Sequence, residues 1–314
     1  MITFAKLTRQ CLILVFMASS GLTHAITDWD TLNQEWELLY EQGDYNRATV
    51  VAAKALQIAE QTREPDHSDI ASSLNSLAFL YSARDQYKQA EPLLIRALAI
   101  FEKSVGEGPE TAATLNNLAM LYRKQGQYAQ AEPLYKRALA IDEKILGPDH
   151  PNVAMSLNNL AQLYQAQERY AQAEPLLKRA LEILENTLGA NHANVAMSLN
   201  NLALLYTAEQ RYAQAEPLFK RVLAMSQKAL GPDHPNVALS LNNLAGLYNE
   251  QGKYPYAEPL FRRALAISEK ALGRNHPNVA TSLENLAQLY REIGHADKAK
   301  PLATRAAAIR AAQR

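Results

Sequence analysis

The chain has almost no cysteine, no net charge and no apolar run long enough to cross a membrane. Cys11 is the only cysteine among 314 residues, so neither a disulfide framework nor a thiolate metal site can stabilise the fold. Lys plus Arg and Asp plus Glu both number 32. This balance provides no field to attract nucleic acid or an anionic membrane surface, and nucleic acid is not an expected partner.

Catalytic motifs are missing as well. The sequence contains no phosphate-binding Gly-rich loop, no nucleophile elbow and no His-Glu-x-x-His, the patterns that would indicate common enzyme chemistries. It also has no linker rich in Gly, Ser and Pro that would separate domains. We therefore expect one continuous architecture that is not an enzyme and that binds no cofactor and no metal ion.

The first residues resemble a secretory leader. Lys6 and Arg9 precede an apolar run from Cys11 to Ala18, and Thr23-His24-Ala25 provides small residues for a signal peptidase. A membrane anchor is the alternative, but the run is far shorter than the roughly 20 residues that span hydrocarbon. We predict a signal peptide over 1–25 that is cleaved after Ala25. The mature chain would be periplasmic or secreted, without insertion into the membrane.

The rest of the chain repeats with a period of about 42 residues. The motif Leu-Asn-x-Leu-Ala-x-Leu-Tyr begins at Leu74, Leu115, Leu157, Leu199 and Leu241, and it returns in altered form at Leu283. A second motif, Ala-Glu-Pro-Leu, begins at Ala90, Ala131, Ala173, Ala215 and Ala257. A fixed period in this range indicates stacked supersecondary units.

The spacing of apolar residues within each repeat predicts two helices. Leu157, Leu160, Ala161 and Tyr164 are spaced i, i+3, i+4 and i+7, which places them on one stripe of a first helix, helix A. The segment 173–184 has the same kind of spacing and predicts a second helix, helix B. The small alanines let the two helices approach closely, and the larger Leu and Tyr fill the space between repeats.

Glycine and proline mark the predicted helix ends. Gly147 follows helix B, Pro151 suits the first turn of the next helix A, and Gly126 closes a helix A. Pro133 lies a few residues into helix B, where a missing N–H disturbs the hydrogen-bond ladder. We therefore expect the start of helix B to be distorted or shifted at this proline and its equivalents.

These patterns predict an all-α solenoid of about seven helix pairs, because no pair can bury its apolar face alone. A degenerate capping repeat is predicted over 26–65, and tandem repeats follow over 66–314. The boundaries of these repeats are predicted at about 66–107, 108–148, 149–190, 191–232, 233–274 and 275–314.

The repeat motifs resemble those of a known family. Leu-Asn-Asn-Leu-Ala-x-Leu-Tyr, Tyr-Ala-Gln-Ala-Glu-Pro-Leu, Lys-Arg-Ala-Leu and Leu-Gly-Pro-Asp-His-Pro-Asn-Val-Ala are similar to the 42-residue tetratricopeptide repeats of kinesin light chains. The resemblance implies a right-handed superhelix in which helices A line a concave groove, and it implies binding of a protein or an extended peptide. It does not imply attachment to a motor, because the chain lacks the heptad coiled coil of kinesin light chains.

The resemblance also implies which positions of helix A face the groove. The fifth position is an asparagine in five repeats, at Asn75, Asn116, Asn158, Asn200 and Asn242. An amide has both donors and an acceptor, so this column could bind the backbone of an extended peptide. The alternative is that the column forms hydrogen bonds between repeats without a ligand. The adjacent column, which includes Asn159 and Asn201, is rotated about 100° away and is expected to tie repeats together.

Near the N-terminal end, the predicted groove contains an apolar spot and a basic spot. Phe79 and Met120 occupy the ninth helix-A position, and Arg123 and Lys124 follow in the second of these repeats. This combination would suit an acidic peptide with an aromatic anchor. We include these four residues with the asparagine column as the predicted peptide-binding site.

Two repeated charge patterns have simple structural explanations. One histidine per repeat, from His67 to His276, is spread too widely to bind one metal ion and is expected to begin helix A. Basic pairs such as Lys178-Arg179 follow a glutamate at i−4, which favours ion pairs within a solvated convex face.

Two functions remain open from the sequence. The first is a scaffold that binds a protein or peptide in its concave groove. The second is a structural component of an envelope assembly, such as a secretion or polymer-export apparatus, that contacts its partners by its edges and convex face.

Overall fold

The computed structural model describes residues 29–312, and the predicted leader and Cys11 lie outside this range. The described residues form fourteen helices and no strand. In chain order the helices are α1 Trp29–Glu41, α2 Tyr45–Thr62, α3 Ser68–Ala83, α4 Tyr87–Ser104, α5 Pro109–Lys124, α6 Tyr128–Leu146, α7 Pro151–Ala166, α8 Tyr170–Leu188, α9 Ala193–Ala208, α10 Tyr212–Leu230, α11 Pro235–Glu250, α12 Tyr254–Leu272, α13 Pro277–Glu292 and α14 Ala296–Ala312. None of these helices is long and apolar enough to span a bilayer.

The helices form seven pairs, in which the odd-numbered helix is helix A and the even-numbered helix is helix B. Each helix packs against the helices before and after it in sequence. Helices A also contact the next helix A in the pairs α3–α5, α5–α7, α7–α9 and α11–α13. Helices B show no comparable contact with each other. Helices A therefore lie on the inner, tighter side of the superhelix. The predicted all-α solenoid of about seven helix pairs is confirmed.

Small side chains hold the two helices of a pair together. Ala161 of α7 and Ala173 and Ala180 of α8 are completely buried where these helices meet. Larger side chains such as Leu177 and Tyr164 belong to the same core and extend it toward neighbouring pairs. The core is therefore a continuous seam along the solenoid, which is the packing that the alanine and leucine spacing predicts.

The helix ends follow the predicted signals. The Nδ1 atoms of His67, His150, His192, His234 and His276 each accept a hydrogen bond from the backbone N–H two residues later, at 3.1 Å. These histidines are thus N-caps of helices A, as predicted. Gly147 ends α6 in the left-handed region, with φ +87°, where a side chain would be strained.

The prediction about proline in helix B is wrong in one respect. Pro133 lies inside α6, which begins five residues earlier at Tyr128, so the helix start is not shifted. The proline removes a single backbone hydrogen bond. Pro133 and Ala129, whose carbonyl would have accepted that bond, are both exposed, and water can replace the missing N–H.

The superhelix brings the first pair against the seventh. Gly43, in the turn between α1 and α2, lies so close to the His276 ring that a Cβ on Gly43 would be 2.9 Å from Cδ2 and Nε2. Burial lowers the pKa of His276. Tyr45 of α2 is near Arg310 of α14: burial raises the pKa of this tyrosine, and the guanidinium partly opposes the increase. We call this meeting of the first and seventh pairs the closing contact.

Substitution of Gly43 by Ala should break the closing contact. The added Cβ would collide with an imidazole that is held by its cap to Asn278 N–H. Gly126→Ala is the matched control, because both glycines have φ above +70° but a Cβ at Gly126 meets nothing within 4 Å. Both variants should lose about 1–2 kcal/mol through the left-handed backbone.

The two variants should differ in shape. Small-angle X-ray scattering should show a larger radius of gyration for Gly43→Ala and an unchanged one for Gly126→Ala. Identical scattering curves for both variants would contradict the closing contact in solution.

Candidate functional site: the concave surface of helices A

The concave surface is formed by the faces of helices A that no helix B covers. Its exposed apolar side chains are concentrated in α9 and α11. Met197, Leu204 and Leu239 are 37%, 44% and 43% exposed, although the opposite sides of the same helices are fully buried. We call this surface the groove.

Most asparagines of the fifth helix-A position donate hydrogen bonds to the next repeat. Asn75 Nδ2 donates to Thr114 Oγ1 at 2.8 Å. In the same way, Asn116 donates to Ser156 at 3.0 Å, and Asn242 donates to Ser282 at 3.0 Å. These bonds join consecutive helices A. They correspond to the alternative in which the asparagine column forms hydrogen bonds between repeats without a ligand.

Asn158 is the most completely bonded residue of the column. It is 1% exposed. Its Nδ2 donates to Ala154 O at 2.9 Å, and its Oδ1 accepts from Ser198 at 3.3 Å and from Asn201 at 3.2 Å. A peptide backbone could reach this amide only by replacing these bonds. Recognition of a peptide by the fifth-position asparagines stays a prediction.

The adjacent asparagine column ties repeats together, as expected. Asn159 and Asn243 donate to fifth-position asparagines of the preceding repeat, at 3.4 Å and 2.6 Å, and Asn201 makes the equivalent bond to Asn158. Asn117 and Asn285 make no such bond among the described residues. As a result, Asn75 Oδ1 and Asn242 Oδ1 are buried without a hydrogen-bond partner.

The predicted apolar and basic spots are partly occupied by the protein itself. The Phe79 ring packs on Tyr40 of the first pair, with ring centroids 5.0 Å apart. Met120 is half-buried against the core. Arg123 is also half-buried, whereas Lys124 is exposed and its Nζ lies 3.4 Å from Ser82 O. Only Lys124 of these four is fully available to a partner, and their role in binding stays a prediction.

A recess opens in the groove at Gly246, where the missing side chain leaves a gap between α9, α11 and α13. Its volume is about 450 Å³. The wall combines apolar side chains with amides and two carboxylates, namely Leu204, Thr207, Phe219, Asn242, Asn243, Leu247, Asn249, Glu250, Phe261, Asn285, Gln288 and Glu292. The sequence offered a signal for this recess, since glycine stands at Gly246 where the other repeats carry Phe, Met, Gln or Leu. The two carboxylates, Glu250 of α11 and Glu292 of α13, become neighbours only when these helices pack in the solenoid.

A second arrangement recurs from repeat to repeat outside the groove and joins helix B of one repeat to helix A of the next. Tyr164 donates its hydroxyl to Glu132 at 3.1 Å, and Tyr206 donates to Glu174 at 3.1 Å. Arg211 donates to Glu174 and lies over the Tyr206 ring, 4.2 Å from its centroid. In these repeats, the glutamate before the proline therefore joins two repeats and also pairs with the lysine at i+4.

The ion pairs of the convex face form as predicted. The glutamate of the Ala-Glu-Pro motif meets the basic residue at i+4 in four repeats, at 2.7, 2.8, 2.6 and 3.0 Å. In three of these pairs the second basic residue instead reaches a glutamate of the preceding repeat, as in Arg179 to Glu143 at 2.7 Å. This surface is largely self-neutralised.

The fold and this surface define a helical repeat solenoid. A sequence model of the tetratricopeptide repeat matches residues 37–103, 110–186, 157–228, 194–270 and 240–312. The chain therefore belongs to the tetratricopeptide repeat family, which is typically a non-catalytic scaffold fold. A search of curated proteins finds no match.

Solved structures support the resemblance seen in the motifs. A putative kinesin light chain from Podospora anserina, with nearly identical tetratricopeptide-like repeats, is 31% identical and has a TM-score of 0.55, over 65% of this chain and 97% of that chain. BtubC from P. vanneervenii is 23% identical over 79% and 92%, with a TM-score of 0.56. A Rap protein complexed with competence and sporulation factor is 18% identical over 93% and 78%, with a TM-score of 0.69. The last two show the fold alone.

Replacing Asn158 by Ala should destabilise the protein more than replacing Asn200. Loss of the Asn158 amide leaves the buried donors Ser198 and Asn201 of α9 without their acceptor, which costs about 1–3 kcal/mol. Asn200 is less buried and accepts one bond, from Asn243, so its loss should cost about 0.5–1.5 kcal/mol. Urea unfolding followed by circular dichroism measures both. An equal or larger loss for Asn200→Ala would contradict the structural role of Asn158.

Stability should fall in acid partly because of Glu174. The hydrogen bond from Arg211, followed by that from Lys178, lowers the pKa of Glu174 to about 2. A carboxyl with a depressed folded-state pKa contributes stability at neutral pH and loses it as the pH falls from about 4.5 to 2. Glu174→Gln should therefore be less stable than wild type at pH 7 and lose less stability across that window.

Thermal unfolding at pH 7, 4 and 3 tests this. Glu182→Gln is the control, because Glu182 is an exposed residue of the same helix outside the tyrosine tie. The interpretation fails if Glu174→Gln follows the same pH dependence as wild type.

Proposed function

We propose that the protein is a non-catalytic scaffold that holds an extended segment of a partner protein in the groove. The observation that carries the proposal is the set of exposed apolar side chains on α9 and α11, beside the recess at Gly246. Apolar side chains at a concave surface gain free energy when a partner removes them from water. Helices B also expose apolar side chains, such as Ile95 and Tyr256. The repeated ion pairs of the convex face, in contrast, already satisfy each other.

The relatives agree with this use of the fold. The Rap protein mentioned above is complexed with competence and sporulation factor, so a solenoid of this architecture can accommodate such a ligand. The asparagine column, Phe79, Met120, Arg123 and Lys124 belong to the proposal as contacts along the same groove. Lys124 is the side chain among them that is free to meet an acidic group.

We place this activity in the periplasm or outside the cell, on the basis of the leader predicted over 1–25. N-terminal sequencing of the protein purified from its native host tests this placement. A mature chain that begins at Ile26 supports it, and a chain that retains the leader counts against it.

A structural role in an envelope assembly is the second candidate. It is favoured by the long, regular convex surface and by the edges of a repeat array. In that case partners would contact helices B, and the groove would remain open in the assembly.

Site-specific photo-crosslinking distinguishes the two functions. A photoreactive amino acid would replace Met197 or Leu239 in the groove, and matched positions Ala140 or Ala224 on exposed surfaces of helices B. Crosslinks to one partner from the groove positions alone support the scaffold. Crosslinks from the helix-B positions alone support the structural component and contradict groove binding.

A further inference from the structure

We infer that the recess at Gly246 receives an arginine side chain of the bound segment. This inference rests on the proposed function, because it names the chemistry of the segment that the groove holds. It adds a specific subsite, formed by α9, α11 and α13, to a surface that otherwise has no defined selectivity.

Two asparagines that line the recess have amide oxygens that lack donors. Asn242 is 6% exposed; its Nδ2 is bonded to Ser282, and its Oδ1 has no partner. Asn249 Oδ1 also has no partner, although its Nδ2 donates to Glu292 at 2.6 Å. A buried acceptor without a donor is costly, so a ligand that brings donors is favoured here.

The charge of the recess has one sign. Glu250 and Glu292 both line it, and no lysine, arginine or histidine does so among the described residues. Arg291 lies outside the recess and donates to Gln288 at 3.1 Å. The carboxylate of Glu292 accepts only from amides, Asn249 and Gln288. A cationic group would therefore be attracted, and an acidic group would be repelled.

The apolar wall selects the form of that cation. Leu204 is 44% exposed, and Leu247 and Phe261 complete the wall. A side chain with an aliphatic stem can cover this wall and present its charge to the acids. A guanidinium has five donors and no acceptor, which matches a site with several unpaired oxygens better than a single ammonium does.

The space for this side chain exists because residue 246 is glycine. A Cβ at Gly246 would meet nothing within 4 Å, and its backbone φ is not in the left-handed region. Gln162 and Gln288 occupy the same position of helix A in other repeats. Gly246→Gln therefore fills the recess with a side chain that the repeat already tolerates, and it should fold as well as wild type or better.

The test uses pools of acetylated and amidated hexapeptides that carry a fluorophore and have one fixed central residue: arginine, lysine, citrulline, leucine or glutamate. Citrulline has the shape of arginine without its charge. Fluorescence polarisation with the full mature protein should show binding of the arginine pool at least tenfold tighter than the citrulline and glutamate pools, with lysine between them. The preference should weaken as salt rises.

Two variants locate the preference, and two others are their controls. Gly246→Gln and Glu250→Gln should each reduce affinity for the arginine pool at least fivefold. Ala224→Gln and Glu182→Gln, which introduce glutamine on exposed surfaces of helices B, should leave it unchanged. Circular dichroism and melting temperatures confirm that each variant is folded.

The outcomes separate the subsite from the proposed function. Groove-dependent binding without a preference for arginine, or an arginine preference that survives Gly246→Gln, overturns the inference and leaves the scaffold intact. If no pool binds, and crosslinks arise only from helices B, both the inference and the scaffold are overturned.

Discussion

Each helix pair can bury its apolar face only against the next pair, and the rest of the structure depends on this constraint. The alanine seam at Ala161, Ala173 and Ala180 lets the helices approach closely, and the larger side chains between pairs complete the core. Because every interface repeats, polar side chains beside the seam recur at the same positions. Hydrogen bonds at these positions then fix the angle between successive pairs.

Two kinds of polar tie act on opposite sides of the seam. Asparagine and serine side chains join helices A on the concave side, and the tyrosine–glutamate bonds join helix B to the next helix A. Individually, the partly exposed ties between helix B and helix A contribute little, but each is repeated along the solenoid. A regular angle between pairs accumulates over seven pairs, and the accumulated rotation brings Gly43 to His276 in the closing contact.

Irregularities in this regular array are where selectivity can arise. At Asn285 the asparagine series stops, and at Gly246 the side chain of the ninth position is missing. These two changes occur in adjacent repeats, and together they leave unpaired acceptors beside an apolar wall. The same positions in α7 and α9 are filled by Gln162, Leu204 and the bonded Asn158.

The architecture follows from patterns in the sequence. Its period, the apolar spacing of helices A and B, the histidine caps and the glycine stops all act over a few residues, and local geometry follows directly from them. The start of helix B was harder to predict, because exposure of Pro133 and Ala129 to water decides whether the missing hydrogen bond matters. Two interpretations of the asparagine column also stayed open, because the hydrogen bonds of these side chains depend on residues about 40 positions away.

The packing of the folded chain shows which of those side chains are already bonded and where a surface remains open. Asn158 is occupied because Ser198 and Asn201 meet it from the next repeat, whereas Asn242 lacks such a donor for its oxygen. Likewise, Glu250 and Glu292 are 42 residues apart in sequence and become neighbours only through stacking. Periodicity states that residues share a position, but the packing of adjacent repeats determines what each of them contacts.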